Sequence, residues 1–186
     1  MRIVSGSYKG RKILLPKDNK TRPLKDLTKE SIFNSIIHSK FSDVDIQNSN
    51  ILDLFSGVGS FGIECISRGA KFVTFIENYK FASEILSKNI RNFELIKKSE
   101  IMDINLENVK NFNFLKKKYD IVFIDPPFKM RNLSTILNKI FFSKILNKKN
   151  IIIIHRNKET KDEFHDSFRI LKTNVYGKSK IIFGSI

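Results

Sequence analysis

The spacing of apolar and polar residues divides the chain into two parts. Two short apolar pairs flank a turn-rich segment within residues 1–15, which predicts a β-hairpin. Apolar residues at helical spacing between Asp26 and Phe41 then predict a helix. The polar stretch 42–50 follows this helix. We therefore predict an N-terminal appendage, residues 1–45, joined to a main domain, residues 46–186.

Beyond residue 50, short apolar runs alternate with segments at helical spacing. The runs lie at 51–55, 72–76, 121–124 and 151–154, and helices are predicted at about 60–69, 79–92, 131–147 and 158–166. Three runs are nearly continuous, which is typical of parallel strands buried on both faces. A further strand near 93–98 is weakly marked, and 168–175 with 180–183 predicts an antiparallel hairpin. The pattern predicts an α/β fold with a mostly parallel sheet closed by that hairpin.

Composition excludes several classes of protein. The chain has 186 residues, which suits one compact domain, and a single cysteine, which excludes an internal disulfide framework. It contains no apolar run of the roughly 18 residues that a membrane-spanning helix needs. The first residues lack the apolar region of a signal peptide. We therefore expect a soluble protein that works in the cytoplasm, with no membrane partner.

The net charge of +15 is concentrated at one end of the chain. Lysine outnumbers arginine by 26 to 8, so part of the excess can reflect composition alone. Residues 1–25, however, contain eight basic residues and only one acidic residue. Such a focused charge favours contact with phosphate groups. A basic hairpin that is simply solvated is the alternative.

A glycine-rich loop predicts a cofactor site. Gly57, Gly59 and Gly62 have the spacing G-x-G-x-x-G between a predicted strand and a predicted helix, which is the context that this motif requires. The glycines let the backbone turn sharply, and the helix N-terminus offers free N–H groups to a ligand. Glu77 ends the next strand, where its carboxylate can accept hydrogen bonds from ribose hydroxyls. The structural alternative is a turn that only lets the helix pack closely.

Two further features favour S-adenosylmethionine over a dinucleotide at this loop. Asp53 lies inside the first strand, where it can either hold the loop or meet the cofactor's ammonium group. Glu100 follows the weakly marked strand and is the predicted acceptor for the adenine amino group, with Asp103 as the alternative.

The segment Asp125-Pro126-Pro127-Phe128 predicts a catalytic loop. Two adjacent prolines cannot lie within a central strand, so they place Asp125 at the carboxyl end of the preceding strand. Ligands bind at that edge of an open α/β sheet. The Asp125 carboxylate and the Pro126 carbonyl can accept hydrogen bonds from a nucleobase amine, and Phe128 can stack on the base.

These motifs resemble one known family. Asp-Pro-Pro-Phe is similar to the signature of the amino-methyltransferases, and the chain as a whole resembles the bacterial methyltransferases that modify guanine N2 of 16S ribosomal RNA, the small-subunit rRNA methyltransferase D family. The matching segments are Arg2–Gly6 with Gly10–Lys12; Arg22-Pro23 with Asp26, Glu30 and Phe33-Asn34; Leu52–Gly62 with Ser67–Ala70; Ile76-Glu77; Asp125–Phe128; and Tyr176–Lys178.

The resemblance implies a Rossmann-like fold with a seven-stranded sheet and a small N-terminal β-hairpin. It implies S-adenosylmethionine as cofactor and 16S rRNA in a small-subunit assembly intermediate as partner, with a guanine of the 966 type as target. The cofactor residues are then Asp53, Phe55, Gly57, Gly59, Glu77, Asn78, Glu100, Ile101 and Asp125, and the catalytic residues are Asp125, Pro126, Pro127 and Phe128. The RNA-binding residues are Arg2, Lys9, Arg11, Lys12 and Arg22. We expect a monomer.

Two departures from the family pattern stand out. Leu27, Thr28 and Lys29 occupy positions where relatives usually carry further arginine or valine, and lysine cannot make bidentate phosphate contacts. His155 occupies a position where relatives commonly have Glu, and it is given no catalytic role. The three histidines lack metal-ligand spacing, so no metal is expected.

Other functions remain open at this point. The same fold can methylate adenine N6 in DNA or RNA, or a protein glutamine. A non-catalytic RNA-binding module and a dinucleotide oxidoreductase are the remaining alternatives. Retention of both the glycine loop and Asp125 argues against a non-catalytic RNA-binding module. The absence of a recognisable substrate domain in the sequence argues against an oxidoreductase.

Overall fold

The computed structural model describes residues 1–16, 24–127, 129–130 and 132–186. The helices are α1 (Asp26–Ile37), α2 (Ser60–Ser67), α3 (Lys80–Asn92) and α4 (Leu133–Phe142), with one 3₁₀ turn at Ile96–Lys98. The strands are β1 (Asn50–Leu54), β2 (Phe72–Ile76), β3 (Ser99–Met102), β4 (Tyr119–Ile124), β5 (Leu146–Asn157), β6 (Arg169–Tyr176) and β7 (Ser179–Ser185). Within the described ranges, no helix is long and apolar enough to cross a membrane.

The strands form one seven-stranded sheet in the order β3-β2-β1-β4-β5-β7-β6. Strands β1 to β5 pair in parallel, whereas β7 runs antiparallel to both β5 and β6. The predicted α/β fold with its antiparallel end is therefore confirmed. The chain reverses its direction of winding at β1, because β2 lies on one side of it and β4 on the other. In open α/β sheets, ligands bind at the carboxyl edge beside such a reversal.

Both faces of the sheet are covered by apolar side chains. Ile51 of β1 belongs to one hydrophobic cluster, with α1, α2 and α3, while Leu52 and Leu54 belong to a second cluster, with α4. The residues of 121–124 and 151–154 are almost wholly buried, which explains why their sequences are continuously apolar.

Two of the predicted helices differ from the structure. Residues 158–166 form turns and irregular backbone rather than a helix, because Asp162 in this segment pairs with Arg156 and Lys180. The helix predicted at 131–147 ends at Phe142, and β5 begins at Leu146, earlier than predicted. The strand predicted near 93–98 is also misplaced, because a 3₁₀ turn occupies 96–98 and β3 begins only at Ser99. Lys144 has a φ of +50°, a left-handed conformation that ends the helix.

The N-terminal residues fold back on themselves as predicted. Arg2 and Lys12 form an isolated antiparallel bridge, and the N–H of Ile3 donates to the carbonyl of Arg11 at 2.9 Å. The side chains of Ile3 and Ile13 are buried in the same cluster as those of α1 and α2. The hairpin thus packs directly on the helix that follows the glycine loop.

Candidate active site

The glycine loop connects β1 to α2 and contains two left-handed glycines. Gly57 has φ +55° and Gly59 has φ +83°. A Cβ added at Gly59 would clash with Leu86, and one added at Gly62 would clash with the ring of Phe75. At Gly57 an added Cβ would meet no atom within 4 Å. Gly59 and Gly62 therefore permit close packing, whereas Gly57 leaves open space beside the loop.

Asp53 supports the loop from beneath. Its carboxylate oxygen Oδ2 accepts a hydrogen bond from the backbone N–H of Gly62 at 3.1 Å, in the first turn of α2. The N-cap residue of α2 is Gly59, which has no side chain, so Asp53 supplies the missing cap. Burial raises the pKa of Asp53 well above its usual range. Of the two predicted roles for Asp53, this geometry favours holding the loop.

Glu77 is fixed at the carboxyl end of β2. Its Oε2 accepts the N–H of Gly57 and its Oε1 accepts the N–H of Tyr79, both at 2.7 Å. These two bonds tie the carboxylate to the glycine loop and to the start of α3. Each carboxylate oxygen can accept more than one hydrogen bond, so Glu77 retains capacity for ligand hydroxyls. Asn78, the next residue, is exposed.

The carboxyl ends of β1, β2, β3 and β4 meet at this edge. The N–H of Glu77 donates to the carbonyl of Met102 at 3.2 Å, and the N–H of Asp125 donates to the carbonyl of Leu54 at 3.3 Å. Ile76 pairs with Met102 in register, so Asp103 follows β3 at the same level at which Glu77 follows β2. The edge therefore places Glu77, Asp103 and Asp125 around the glycine loop.

Glu100 is not brought to this edge. It pairs with Thr74, the middle residue of β2, and accepts a hydrogen bond from the Thr74 hydroxyl at 2.7 Å. The hydroxyl of Tyr119 donates to the same Thr74 oxygen at 2.9 Å, and burial raises the pKa of Tyr119 to about 12. Ile101 packs against the first hydrophobic cluster. Of the two predicted adenine contacts, the register thus favours Asp103.

Phe55 joins β1 to the glycine loop in a strained conformation. Its φ is +59°, a left-handed value that is uncommon for a bulky side chain. The half-buried ring packs against the second hydrophobic cluster. Such outliers concentrate at ligand-binding sites, and this one lies beside the open space at Gly57.

The Asp125 loop leaves β4 directly at the edge. Pro126 is buried and Pro127 is exposed, and the N–H of Met130 donates to the carbonyl of Pro127 at 2.9 Å. The Asp125 side chain is 22% exposed, and its Oδ1 lies 2.8 Å from Nδ1 of His155. Phe128, the predicted stacking residue, lies outside the described residues.

Two consecutive residues of β5 contact this loop, and sequence analysis missed both contacts. His155 meets Asp125, and the fully buried Arg156 donates to the carbonyl of Met130 at 2.7 Å. Arg156 also donates to Asp162 at 3.0 Å. The one sequence signal is that His155 and Arg156 directly follow a buried apolar run, at the edge where ligands bind.

The predicted RNA-binding residues differ in their surroundings. Arg2, Lys9 and Lys12 are exposed on the hairpin. Arg11 is exposed as well, but it also donates to the carbonyl of Asn92, the last residue of α3, at 2.6 Å, so it docks the hairpin. Arg22 lies outside the described residues. No group of residues that could hold a metal ion occurs in the described part of the chain.

A buried carboxylate fastens the hairpin to α2. Both side-chain oxygens of Glu64 accept backbone N–H groups of the hairpin, from Val4 at 2.8 Å and Ser5 at 2.9 Å. Glu64 also meets Arg68 Nε at 2.9 Å and Lys29 Nζ at 3.4 Å. Both Glu64 and Lys29 are 0% exposed, so this cluster is a buried ion network.

Asn89 of α3 links the end of the hairpin to the glycine loop. Its side-chain oxygen accepts the N–H of Leu14 at 2.9 Å, and its side-chain nitrogen donates to the carbonyl of Val58 at 3.0 Å. The basic hairpin and the cofactor loop are therefore braced by the same buried side chain.

Comparisons with known proteins agree with this geometry. A family model described as conserved hypothetical protein 95 matches residues 1–185. The chain is 35% identical over 161 residues to ribosomal RNA small subunit methyltransferase D of Buchnera aphidicola subsp. Acyrthosiphon pisum, covering 84% of this chain and 78% of that one. It is 29% identical to the protein of the same name from Haemophilus influenzae, covering 95% and 89%. The solved structure of yhhF from Escherichia coli matches with a TM-score of 0.81 at 25% identity, covering 99% of this chain and 96% of that one. The family match over nearly the whole chain, together with these relatives, shows that the protein belongs to the ribosomal RNA small subunit methyltransferase D family.

Proposed function

We propose that the protein transfers a methyl group from S-adenosylmethionine to the exocyclic N2 amine of a guanine in 16S rRNA, within a small-subunit assembly intermediate. The observation that carries this proposal is the pair of carboxylates at one sheet edge. Glu77 and Asp125 follow the strands on either side of β1, and the glycine loop lies between them. Relatives over most of the chain are named as rRNA methyltransferases, which supports RNA as the substrate.

The residues at the edge suit an adenosyl cofactor. Glu77 has its carboxylate fixed by two backbone N–H groups and can accept hydrogen bonds from both ribose hydroxyls. Gly57 leaves open space where backbone and ligand can approach closely. Asp103, one strand further along, is the proposed acceptor for the adenine amino group. When bound, S-adenosylmethionine supplies an electrophilic methyl group.

Asp125 binds and activates the guanine amine that accepts the methyl group. A guanine N2 amine is a weak nucleophile because its lone pair is delocalised into the ring. Hydrogen bonds from its N–H groups to the Asp125 carboxylate and the Pro126 carbonyl direct the lone pair toward the methyl group. They also stabilise the positive charge that develops on nitrogen as the new bond forms. The carboxylate can then take the proton that the nitrogen releases and pass it to water.

The basic hairpin is the proposed RNA-docking surface. Arg2, Lys9 and Lys12 are exposed on it, and the Glu64 network fixes its position relative to α2. Because α2 begins at the glycine loop, RNA held on the hairpin has a defined position relative to the cofactor site. Asn89 of α3 further fixes the position of the hairpin relative to the glycine loop, because its side chain bonds to both.

The Asp125→Ala variant tests the catalytic assignment. We expect a fall of about 10²–10³-fold in the rate of methyl transfer, because the preorganised acceptor is lost at the reacting nitrogen. Cofactor affinity, measured by calorimetry, should change little because Glu77 and Gly57 are intact. The control is Asp166→Ala, which removes an exposed carboxylate far along the chain. Wild-type turnover by Asp125→Ala would remove Asp125 from the mechanism.

A further inference from the structure

The proposed function gives His155 no role, yet the side chain of His155 contacts the catalytic Asp125. Nδ1 of His155 lies 2.8 Å from Oδ1 of Asp125, within hydrogen-bond range. An ionised carboxylate can only accept hydrogen bonds, so Nδ1 carries the hydrogen in this pair. The histidine side chain is 10% exposed, which shields the bond from competing water.

The bond leaves one oxygen of Asp125 for a ligand. Within the part of the chain that the structure describes, Oδ2 of Asp125 has no hydrogen-bond partner, and the side chain is 22% exposed. Because the hydrogen bond from His155 holds Oδ1, the plane of the carboxylate is fixed, and Oδ2 is the oxygen that faces the reacting amine. Without the bond, the side chain can rotate about χ1 and χ2.

The support for His155 is rigid. Its backbone pairs with Ile181 of β7 on one side of β5, and the neighbouring Ile154 pairs with Ile124 of β4 on the other. The next residue, Arg156, holds Met130 at the far end of the same loop. Two adjacent side chains of one central strand therefore fix both ends of the catalytic loop, as preorganised sites require.

We propose that His155 is a positioning residue that donates from Nδ1 to Oδ1 of Asp125 and so orients the carboxylate toward the acceptor amine. This inference rests on the proposed function, because it assumes that Asp125 binds the amine. His155 itself does not touch the substrate and accepts no proton from it.

The first test needs neither cofactor nor RNA. Protein labelled with ¹⁵N-histidine should show, by NMR, an Nδ1-bound hydrogen for His155 that is absent from the His155→Asn spectrum and lost or strongly shifted in Asp125→Ala. The other two histidines serve as internal references. A neutral His155 ring with its hydrogen on Nε2 and a bare Nδ1 would overturn the inference, whatever the enzyme's activity.

The second test compares two substitutions of the same residue. The amide nitrogen of asparagine occupies nearly the place of histidine Nδ1 and can donate, whereas alanine cannot. His155→Ala should lower kcat by about 10- to 100-fold, the range expected for loss of one charge-assisted hydrogen bond, with KM for RNA and cofactor nearly unchanged. His155→Asn should recover most of this loss. The exposed His38→Ala is the control and should behave as wild type.

The outcomes separate the inference from the proposed function. If wild-type protein methylates rRNA and His155→Ala is equally fast, the positioning role is wrong and the proposed function stands. An equal loss in His155→Ala and His155→Asn, with both folded, also contradicts a donor role. If wild-type protein transfers no methyl group to rRNA, the proposed function fails, and the NMR result alone decides whether the His155–Asp125 bond exists.

Discussion

Replacing the buried Glu64 with glutamine tests how the hairpin is held. The change keeps the shape of the side chain but removes its charge and leaves only one acceptor oxygen. In the native protein the two carboxylate oxygens receive four donors, from Val4, Ser5, Lys29 and Arg68. In the variant the new NH₂ group cannot accept hydrogen bonds from the N–H donors that it faces. The buried ammonium of Lys29 also loses its nearest counter-charge.

The expected loss is large on the scale of a protein's stability. Removing one partner of a buried ion pair typically costs about 3–5 kcal/mol, because the other charge stays buried without compensation. Burial already lowers the pKa of Lys29, which shows that its ammonium is held against a desolvation cost. Asp26 lies 3.8 Å from the Lys29 nitrogen but is half exposed, so it compensates poorly. We therefore expect Glu64→Gln to lower the free energy of unfolding by about 3–5 kcal/mol.

Urea unfolding measures this loss directly, and hydrogen exchange locates it. The amide hydrogens of Val4 and Ser5 should exchange faster in Glu64→Gln, since both lose a charged acceptor. The control is Glu84→Gln on the exposed face of α3, which should change stability by less than about 0.5 kcal/mol. Adding Lys29→Met to Glu64→Gln should cost less than the sum of the single changes. A loss below about 1 kcal/mol for Glu64→Gln would refute the reasoning.

Two more predictions concern RNA contact and the Asp53 cap. Replacing Lys9 and Lys12 together with alanine should weaken RNA binding and reduce the slope of log K against log salt by about 1.4–1.8, measured by fluorescence anisotropy; an unchanged slope would show that the hairpin does not meet phosphate. Because the folded-state pKa of Asp53 is raised above its ordinary 3.8, the folded protein binds more protons than the unfolded chain in the interval above 3.8. Stability from Asp53 is therefore present at low pH and declines as pH rises through that interval, up to the raised pKa. Asp53→Asn should remove this decline, and a constant difference between the two proteins across pH in urea unfolding would contradict the assignment.

Strands β1, β2 and β4, the buried part of β5 and both loops at the sheet edge could be predicted because their signals are local. Continuous apolar residues at 121–124 and 151–154 report burial on two faces without reference to any other part of the chain. The two prolines after Asp125 end a strand wherever they occur. The glycine motif at Gly57 and Gly59 can likewise be recognised from the strand, turn and helix next to it.

Predictions were wrong, or left open, where distant residues decide the structure. The segment 158–166 has helical spacing, yet Asp162 is drawn into ion pairs with Arg156 and Lys180. The position of Glu100 relative to the edge depends on the register between β2 and β3, which no local pattern specifies.

The contacts that complete the site are the least visible in sequence. His155 and Asp125 are 30 residues apart, and Glu64 is about 60 residues from the hairpin amides that it accepts. Only the order of strands brings β4 and β5 side by side, and only tertiary packing brings the hairpin to α2. The departure of His155 from the family pattern indicated that this position is unusual, but it did not indicate that His155 contacts Asp125.

Methyl transfer to ribosomal particles tests the central claim most directly. Small-subunit particles that lack the modification are incubated with the protein and S-adenosylmethionine labelled on its methyl group, and the labelled nucleoside is identified after digestion. We predict label in N2-methylguanosine at a single position of 16S rRNA, and none with Asp125→Ala. Label on adenine, on DNA or on protein glutamine, or no label with wild-type protein, would contradict the proposed function.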